Sequence, residues 1–221
     1  MNIYVHRKNL IPLKLACQDF NKQLCLLNMK PRKYTKTLRA RQQENTRERI
    51  VEATVELHEE LGPAKTSIKA IAEKAGVQRL TVYRYFPDEF ALFEACTGHW
   101  LGLHPPPDLT DWKNITDAAE RSHKALLDFY RYYRKTESML TGAYRDFDAV
   151  EAMQAPMKRV ETYLDQVRDD LLTNWKAKGK RKQQLSLTLR HGLRFTTWQA
   201  LNNEGLSDTQ IAELVMSWIN K

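Results

Sequence analysis

The chain has 221 residues, of which 42% are hydrophobic and 10% aromatic, enough to bury a core and too many for a disordered polymer. Its three cysteines form no CxxC pair and its six histidines are scattered, which argues against a disulfide framework and against a zinc site. No run of about 18 apolar residues occurs, so we expect no membrane-spanning segment. Unpaired cysteines of this kind favour the reducing cytoplasm.

The net charge of +8 is concentrated at the N-terminal end. Residues 1–49 carry twelve lysines and arginines against three acidic residues, whereas the remaining residues nearly balance. A basic end on a near-neutral body is typical of proteins that bind a polyanion, and a solvated tail is the alternative. Because the helical period begins at about Gln43, residues 1–42 are predicted to form a basic, flexible arm. A second methionine, Met29, leaves open whether residues 1–28 belong to the native protein.

Four helices are predicted in the first half of the chain, at 43–61, 68–75, 78–86 and 88–100. Gly-Pro stops the first of them, Thr-Ser offers an N-cap for the second, and a glycine separates the second from the third. The segment 102–107 contains three consecutive prolines and cannot continue a helix. We interpret this segment as a stiff linker at a domain boundary.

Beyond the linker, apolar residues three and four apart predict further helices that include 115–133 and 150–171. Pro156 marks either a kink in the second of these or its true start. One long helix is predicted over Gln183–Asn203. A capping box at Ser207–Gln210 opens a last helix with a wide apolar face. Nothing indicates strands, so the fold class is predicted to be all-α.

The informative segment is 66–92, where two short helices are joined by a tight, glycine-containing turn. This is the pattern of a helix-turn-helix, whose second helix enters the major groove of DNA. The exposed face of that second helix carries side chains that donate hydrogen bonds to phosphates or base edges. They are Gln78, Arg79, Thr81, Tyr83 and Tyr85.

The segment from Thr46 to Gly98 resembles the DNA-binding domain of the TetR family of bacterial transcriptional regulators. The family pattern is a long first helix, then T-S, I-A, A-G-V and T-x-Y-x-x-F followed by a leucine. Here these residues are Thr66-Ser67, Ile71-Ala72, Ala75-Gly76-Val77, Thr81, Tyr83, Phe86 and Leu92. The resemblance implies an N-terminal three-helix helix-turn-helix domain over 43–102 and a C-terminal helical effector-binding and dimerisation domain over 108–221.

The resemblance also assigns DNA contacts residue by residue. It implies phosphate contacts from Thr66, Tyr83 and Tyr85, and base-edge contacts from Gln78, Arg79 and Thr81. Tyr83 is alternatively packed, with only its hydroxyl reaching out. Two positions depart from the family: Asp88-Glu89 replaces a usual phosphate-binding lysine, and Leu80 replaces a small residue. We expect Leu80 to pack, contact with a thymine methyl being the alternative.

The resemblance implies three partners: operator double-stranded DNA, a second copy of the chain bound through the last two helices, and a small-molecule effector in the C-terminal domain. Gly192 is expected to let two long helices approach closely. No cofactor and no metal are implied. Candidate effector-pocket residues, each alternatively a core residue, are Tyr130, Tyr133, Tyr144, Phe147, Trp175, His191, Phe195 and Trp198.

The sequence therefore predicts a cytoplasmic, sequence-specific DNA-binding transcriptional regulator, a repressor released from its operator by a small-molecule effector. The alternative is a DNA-binding regulator without such a ligand, controlled by a protein partner or constitutive. An enzyme is not expected, because no GxSxG, P-loop, HExxH or GxGxxG motif occurs.

Overall fold

The computed structural model describes residues 32–220, which fold into helices joined by turns, without a strand in that range. The prediction of an all-α fold is therefore confirmed. None of the helices in this range is both long and apolar enough to cross a lipid bilayer. The helices are α1 (Arg32–Leu61), α2 (Ile68–Lys74), α3 (Arg79–Tyr85), α4 (Glu89–Leu103), α5 (Ala118–Asp146), α6 (Gln154–Trp175), α7 (Gly179–Gly192), α8 (Phe195–Asn203) and α9 (Asp208–Ile219).

The chain divides into two units between Glu48 and Arg49. In the first unit the backbone is helical from Arg32, so α1 begins well before the predicted start at Gln43. Arginine, lysine and glutamine favour helices without any apolar period, which is why a search for that period missed this stretch. The remainder of the predicted basic arm, residues 1–31, lies outside the described residues.

The first core of the second unit lies among α1, α2, α3 and α4. Three residues of α1, namely Ile50, Ala53 and Leu57, point into it at the predicted helical spacing and are buried. Val82 of α3 and Leu92 of α4 complete its centre. Because Ile50 is fully buried, truncating it to alanine is expected to cost about 2–5 kcal/mol of stability.

The second core lies among α5, α6, α7, α8 and α9. Long stretches of α5 and α9 face each other there, as the predicted amphipathic patterns require. Pro156 lies in the first turn of α6. Of the two predicted alternatives, a kink within the helix or the start of the helix, the structure therefore has the start. The largest fully buried side chains of this core include Trp112, Phe129, Tyr130 and Trp198.

The predicted single helix Gln183–Asn203 is wrong, because the chain breaks between α7 and α8. Arg194 has extended backbone angles, and Leu193 and Arg194 separate the two helices. The break coincides with two tertiary hydrogen bonds, from the hydroxyl of Tyr130 to the carbonyl of Gly192 at 2.8 Å and from that of Tyr133 to the carbonyl of Leu193 at 2.6 Å. Buried tyrosines thus satisfy carbonyls that a continuous helix would have used.

The proline-rich segment 102–107 is not a free linker between two domains. The hydroxyl of Tyr132 donates to the carbonyl of His104 at 3.3 Å, and the hydroxyl of Tyr163 donates to that of Pro107. Both tyrosines belong to helices of the second core. The segment is therefore fixed along α5 and α6, and residues 49–221 form one compact unit.

Candidate nucleic-acid interface

α2 and α3 form the helix-turn-helix, and the turn between them depends on Gly76. This glycine has a φ of 65°, which other residues rarely adopt. The N–H of Val77 donates to the carbonyl of Ala72 at 2.9 Å and closes the turn. Ser67 caps α2 through its hydroxyl oxygen, which accepts the N–H of Ala70 at 3.2 Å. Local sequence therefore specifies both the start of α2 and the angle of α3.

The two faces of α3 differ sharply in exposure. Val82 is fully buried and the adjoining Phe86 is buried, which fixes the inner face of the helix. On the outer face, Leu80 is 79% exposed and Tyr83 is 45% exposed. Leu80 was expected to pack, and that expectation is wrong. Two residues from Val82 correspond to about 200° around a helix, so Leu80 faces away from the core.

The predicted contact residues of α3 lie together on or beside this outer face. Gln78 and Arg79 are exposed at the start of the helix, and the Gln78 side chain makes no capping bond. Thr81 and Tyr85 are half-buried. Tyr83 is exposed. The surface formed by these five residues combines two amide or guanidinium groups, a hydroxyl and two phenols.

Thr66 differs from the other predicted contact residues. Its hydroxyl donates to the carbonyl of Gly62 at 2.9 Å, and its N–H donates to the carbonyl of Pro63 at 3.1 Å. Both of its donors are therefore used inside the chain. An anion accepts hydrogen bonds and cannot replace these carbonyls without competing for the same protons. Thr66 stabilises the turn before α2 in this structure.

Sequence reasoning missed Arg84, which is exposed beside this surface. Its guanidinium lies over the ring of Tyr85, and the guanidinium carbon Cζ is 5.2 Å from the ring centroid. Among residues 37–220, neither Arg79 nor Arg84 forms an ion pair with a carboxylate. Lys74 of α2, by contrast, forms ion pairs with Glu56 and Glu60. Arg79 and Arg84 therefore present two positive charges on α3 that no carboxylate of the described residues pairs with.

A family model for bacterial regulatory proteins of the tetR family matches residues 50–96, the stretch that contains α2, α3 and most of α4. The match covers the helix-turn-helix just described. This stretch of the chain is therefore similar to the bacterial regulatory proteins of the tetR family. The resemblance predicted from residues 46–98 is thereby confirmed.

A curated relative and two solved structures are also similar to this chain. Nucleoid occlusion factor SlmA of Haemophilus influenzae is 29% identical over 114 residues, which are 50% of each chain. The chain thus spans about half the length of the curated relatives it matches. The structure of NalD, a secondary repressor of the MexAB-OprM multidrug efflux pump in Pseudomonas aeruginosa, is 23% identical with a TM-score of 0.55, covering 80% of this chain and 95% of that one. A TetR-like regulator from Rhodococcus sp. RHA1 is 19% identical with a TM-score of 0.54, covering 79% and 93%. These two structures share the fold.

Asp88 occupies the position where TetR-family sequences usually have a phosphate-binding lysine, and it has a structural role here. Its carboxylate accepts the N–H of Ala91 at 2.7 Å and caps α4. A negative charge at a helix N-terminus is favourable because it faces the positive end of the helix dipole. The substitution therefore exchanges a cation for a helix cap.

The C-terminal end of α5 holds the turn that precedes the helix-turn-helix. The carboxylate of Asp146 accepts the N–H of Ala64 at 3.0 Å, and Arg145 donates to the carbonyl of Leu61 at 3.0 Å. The hydrogen bonds from Arg145 hold the pKa of the Asp146 carboxyl below its usual range. A Cβ on Gly62 would overlap the Arg145 guanidinium. The sequence predicted the Gly-Pro turn but not these contacts, because Arg145 and Asp146 lie far from the turn along the chain.

His58 lies buried where α1 meets α4. It is 5% exposed, its ring centroid lies 4.9 Å from that of Phe93, and its Nδ1 lies 3.9 Å from the Sγ of Cys96. Burial lowers the pKa of His58 to about 4, although the charge of Asp146 acts in the opposite direction. Burial also raises the pKa of the Cys96 thiol to about 12. Both groups are therefore neutral at pH 7.

The eight candidate effector-pocket residues do not line a single pocket. Tyr130, Tyr133, Phe195 and Trp198 are buried in the second core, where they pack on other aromatic rings or on the α7–α8 break. Their spacing predicted an inner face of the helix, and in the structure that face packs against other side chains of the second core.

The other four candidates lie at three separate places. Tyr144 and Phe147 border a surface groove along the start of α6, and Tyr144 also stacks on Phe195 with the ring centroids 5.2 Å apart. The indole N–H of Trp175 donates to the hydroxyl of Ser122 at 3.0 Å. His191 is exposed, 6.5 Å from the ring of Trp218. None of the eight lines the apolar cavity beside α4.

Proposed function

We propose that this chain is a sequence-specific DNA-binding transcriptional regulator that reads its operator with α3. The single observation that carries the proposal is the outer face of this helix, where Gln78, Arg79 and Leu80 are exposed together while Val82 fixes the inner face. An α-helix fits the major groove of B-form DNA. Arginine pairs with guanine, glutamine pairs with adenine, and an apolar side chain contacts the thymine methyl.

Phosphate contacts come from the flanks of the same helix. Tyr83, Tyr85 and Arg84 present hydroxyl and guanidinium donors beside the reading face. Thr66 is proposed to act on DNA binding indirectly, by fixing the turn before α2 through its bond to Gly62. Thr81, half-buried next to the reading face, is proposed to touch a base edge with its hydroxyl.

The regulator is proposed to act as a two-fold homodimer formed through α7 and α9. Leu187 of α7 is 60% exposed, and Leu214 and Trp218 of α9 are partly exposed one helical turn apart. His191 lies one turn from Leu187 and beside Trp218, so the four side chains form a continuous, largely apolar stripe. A second copy that covers this stripe would place two copies of α3 on two half-sites.

We propose further that the regulator is a repressor released by a small-molecule effector. NalD, which shares the fold, is described as a repressor. The second candidate is a regulator without a small-molecule ligand, controlled by a partner or constitutive. The burial of Tyr130, Tyr133 and Trp198 favours this candidate, because these side chains pack against other residues of the second core.

Footprinting on the DNA beside the chain's own gene, with and without a panel of metabolites, tests the regulator and its release. Arg79→Ala is expected to weaken operator binding by about 1–3 kcal/mol at one base position in each half-site. Arg131→Ala, which removes an exposed arginine of α5, is the matched control and should leave the footprint unchanged. An equal loss of affinity for operator and random DNA in Arg79→Ala would reduce Arg79 to a phosphate contact.

A further inference from the structure

The turn between α6 and α7 carries a dense cluster of positive charge. Five of the seven residues at 176–182 are lysine or arginine, and none is acidic. The four lysines are exposed, whereas the arginine is half-buried and its guanidinium donates to the carbonyl of Ile219 at the end of α9. These five residues, called the α6–α7 patch below, are Lys176, Lys178, Lys180, Arg181 and Lys182.

The charge of the α6–α7 patch is not neutralised by its neighbours. Among residues 37–220, no member of the patch forms an ion pair with a carboxylate. The acidic residues nearest to it along α6 have other partners. Asp170 pairs with Arg121 at 2.6 Å, and Asp165 and Asp169 pair with Arg168 at 2.6 and 2.9 Å. The patch therefore presents its positive charge to solvent.

The stability of α7 does not account for these cations. The first turn of α7 contains Lys180, Arg181 and Lys182 and no acidic residue. Because the N-terminal end of a helix is the positive end of its dipole, cations there are unfavourable. In α4, by contrast, the first turn carries Glu89. A local arrangement that costs stability is typical of a functional surface, and here it indicates a negatively charged partner.

The position of the patch separates its partner from the DNA that α3 is proposed to read. α6 begins beside α4, where Arg159 pairs with Glu94 at 2.9 Å. The 22 residues of α6 extend over about 33 Å, and the patch follows the far end of this helix. DNA is stiff over a length of about 50 nm. A duplex that lies against α3 therefore does not fold back over the chain to reach the patch.

The side chains of the patch suit phosphate groups better than a lipid bilayer. Lysine and arginine contact the DNA backbone irrespective of base sequence. Binding to a membrane surface uses apolar area as well as charge. The one apolar side chain within 176–182 is that of Ala177, which is half-buried. The preceding Trp175 is held by its indole N–H, which donates to the hydroxyl of Ser122 at 3.0 Å.

We propose that the α6–α7 patch binds the phosphate backbone of a second DNA duplex without sequence preference, so that one molecule holds two duplexes together. The contact with the second duplex depends on the five side chains of the patch alone. The joining of two duplexes rests also on the proposed function, in which α3 binds the first. Each phosphate that a cation neutralises contributes about −0.9 to the slope of log K against log salt, so binding of the second duplex is expected to be strongly salt-dependent.

A two-step bead assay measures the second duplex separately from the first. The full chain is bound to a biotinylated duplex on streptavidin beads, the excess is washed away, and a fluorescent duplex of unrelated sequence is added at a series of salt concentrations. The amount of chain on the beads reports the first step, and the retained fluorescence reports the second. The wild type is expected to retain the fluorescent duplex at low salt and to release it steeply as the salt concentration rises.

The decisive variant combines Lys178→Gln, Lys180→Gln and Lys182→Gln. It leaves Lys176 unchanged, because that residue has a positive φ of 49°. This triple variant is expected to bind the first duplex as the wild type does and to retain about tenfold less of the second. Its salt slope for the second duplex is expected to be shallower by about 2.7, which is about 0.9 for each of the three charges removed.

A matched control removes three exposed cations elsewhere on α5 and α6, through Arg131→Gln, Lys135→Gln and Lys158→Gln. It has the same net charge as the triple variant and is expected to behave like the wild type. Melting curves show whether the triple variant folds. If it does not fold, Lys180→Glu, which reverses one exposed charge, takes its place and is expected to lower retention of the second duplex.

Three outcomes overturn the proposal. The first is a wild type that binds the bead duplex but retains no fluorescent duplex, and the second is equal retention by the wild type and the triple variant. Both leave the proposed reading by α3 intact. The third is loss of the first step in the triple variant, which would assign all DNA binding to the patch and contradict the role of α3. Vesicles of phosphatidylglycerol and phosphatidylcholine are expected not to pellet the chain. Pelleting of the wild type but not of the triple variant, together with equal retention of the second duplex, would assign the patch to lipid instead.

Discussion

Protonation of His58 is expected to destabilise the folded chain as the pH falls from about 7 to about 4. The imidazole is 5% exposed between Phe93 and Cys96, and burial lowers its pKa from 6.5 to about 4. Well above pH 6.5 the ring is neutral in both the folded and the unfolded chain, so His58 does not lower the free energy of unfolding there. Between these two pKa values the unfolded chain binds a proton that the folded chain does not bind.

The size of this effect follows from the two pKa values. A difference of about 2.5 units at about 1.4 kcal/mol each gives a loss of about 3 kcal/mol by the time the pH reaches 4. Domains of this kind have a total stability of about 5–15 kcal/mol, so one histidine removes a large share of it. Below the folded pKa both states carry the proton, and this contribution stays lost.

Urea unfolding followed by circular dichroism measures the effect at a series of pH values for the wild type, His58→Gln and His123→Gln. The absolute stability of His58→Gln at pH 7 is not the test, because the substitution also changes packing. Its stability is expected to fall by about 3 kcal/mol less than that of the wild type between pH 7 and pH 4. His123→Gln changes a half-buried imidazole of α5 outside the proposed dimer stripe and controls for the loss of a histidine as such. Identical pH dependence in the wild type and His58→Gln would refute the reasoning.

Three further predictions concern packing, assembly and charge. Gly192→Leu is expected to lower the melting temperature of the chain itself, because a Cβ there would lie 2.6 Å from Cγ1 of Val215; Gly98→Leu, with open space around it, is the control. Leu187→Glu is expected to convert a dimer into a folded monomer in sedimentation, and a wild type that is monomeric at micromolar concentration would contradict this. Deleting residues 1–40 is expected to flatten the plot of log K for DNA against log salt while keeping the preferred sequence, and an unchanged slope would show that these residues do not contact DNA.

Gly192 has a different role in the structure from the one that the sequence predicted. The sequence suggested a close approach of two long helices, which the homodimer would supply. Instead, Gly192 lies inside one chain, against Val215 of α9 and Leu126 of α5. A substitution there disturbs the second core directly. Leu187, on the outer face of α7, is the better test of assembly.

The helix-turn-helix was determined by local sequence. Ser67 caps α2, Gly76 provides the positive φ of the turn, and Val82 lies on the inner face of α3 at the spacing the pattern predicted. Each of these features depends on residues within a few positions of one another, and such interactions are legible in a single sequence. The match to the tetR-family model lies in the same short segment.

Contacts between residues far apart in the chain decided the rest. The α7–α8 break coincides with the hydroxyls of Tyr130 and Tyr133, about sixty positions earlier, which donate to the carbonyls of Gly192 and Leu193. Helical spacing places an aromatic side chain on the inner face of a helix but does not reveal whether that face meets a cavity or another helix. Whether an inner face is filled depends on the volumes of all the side chains that meet there, and only the tertiary structure brings those side chains together.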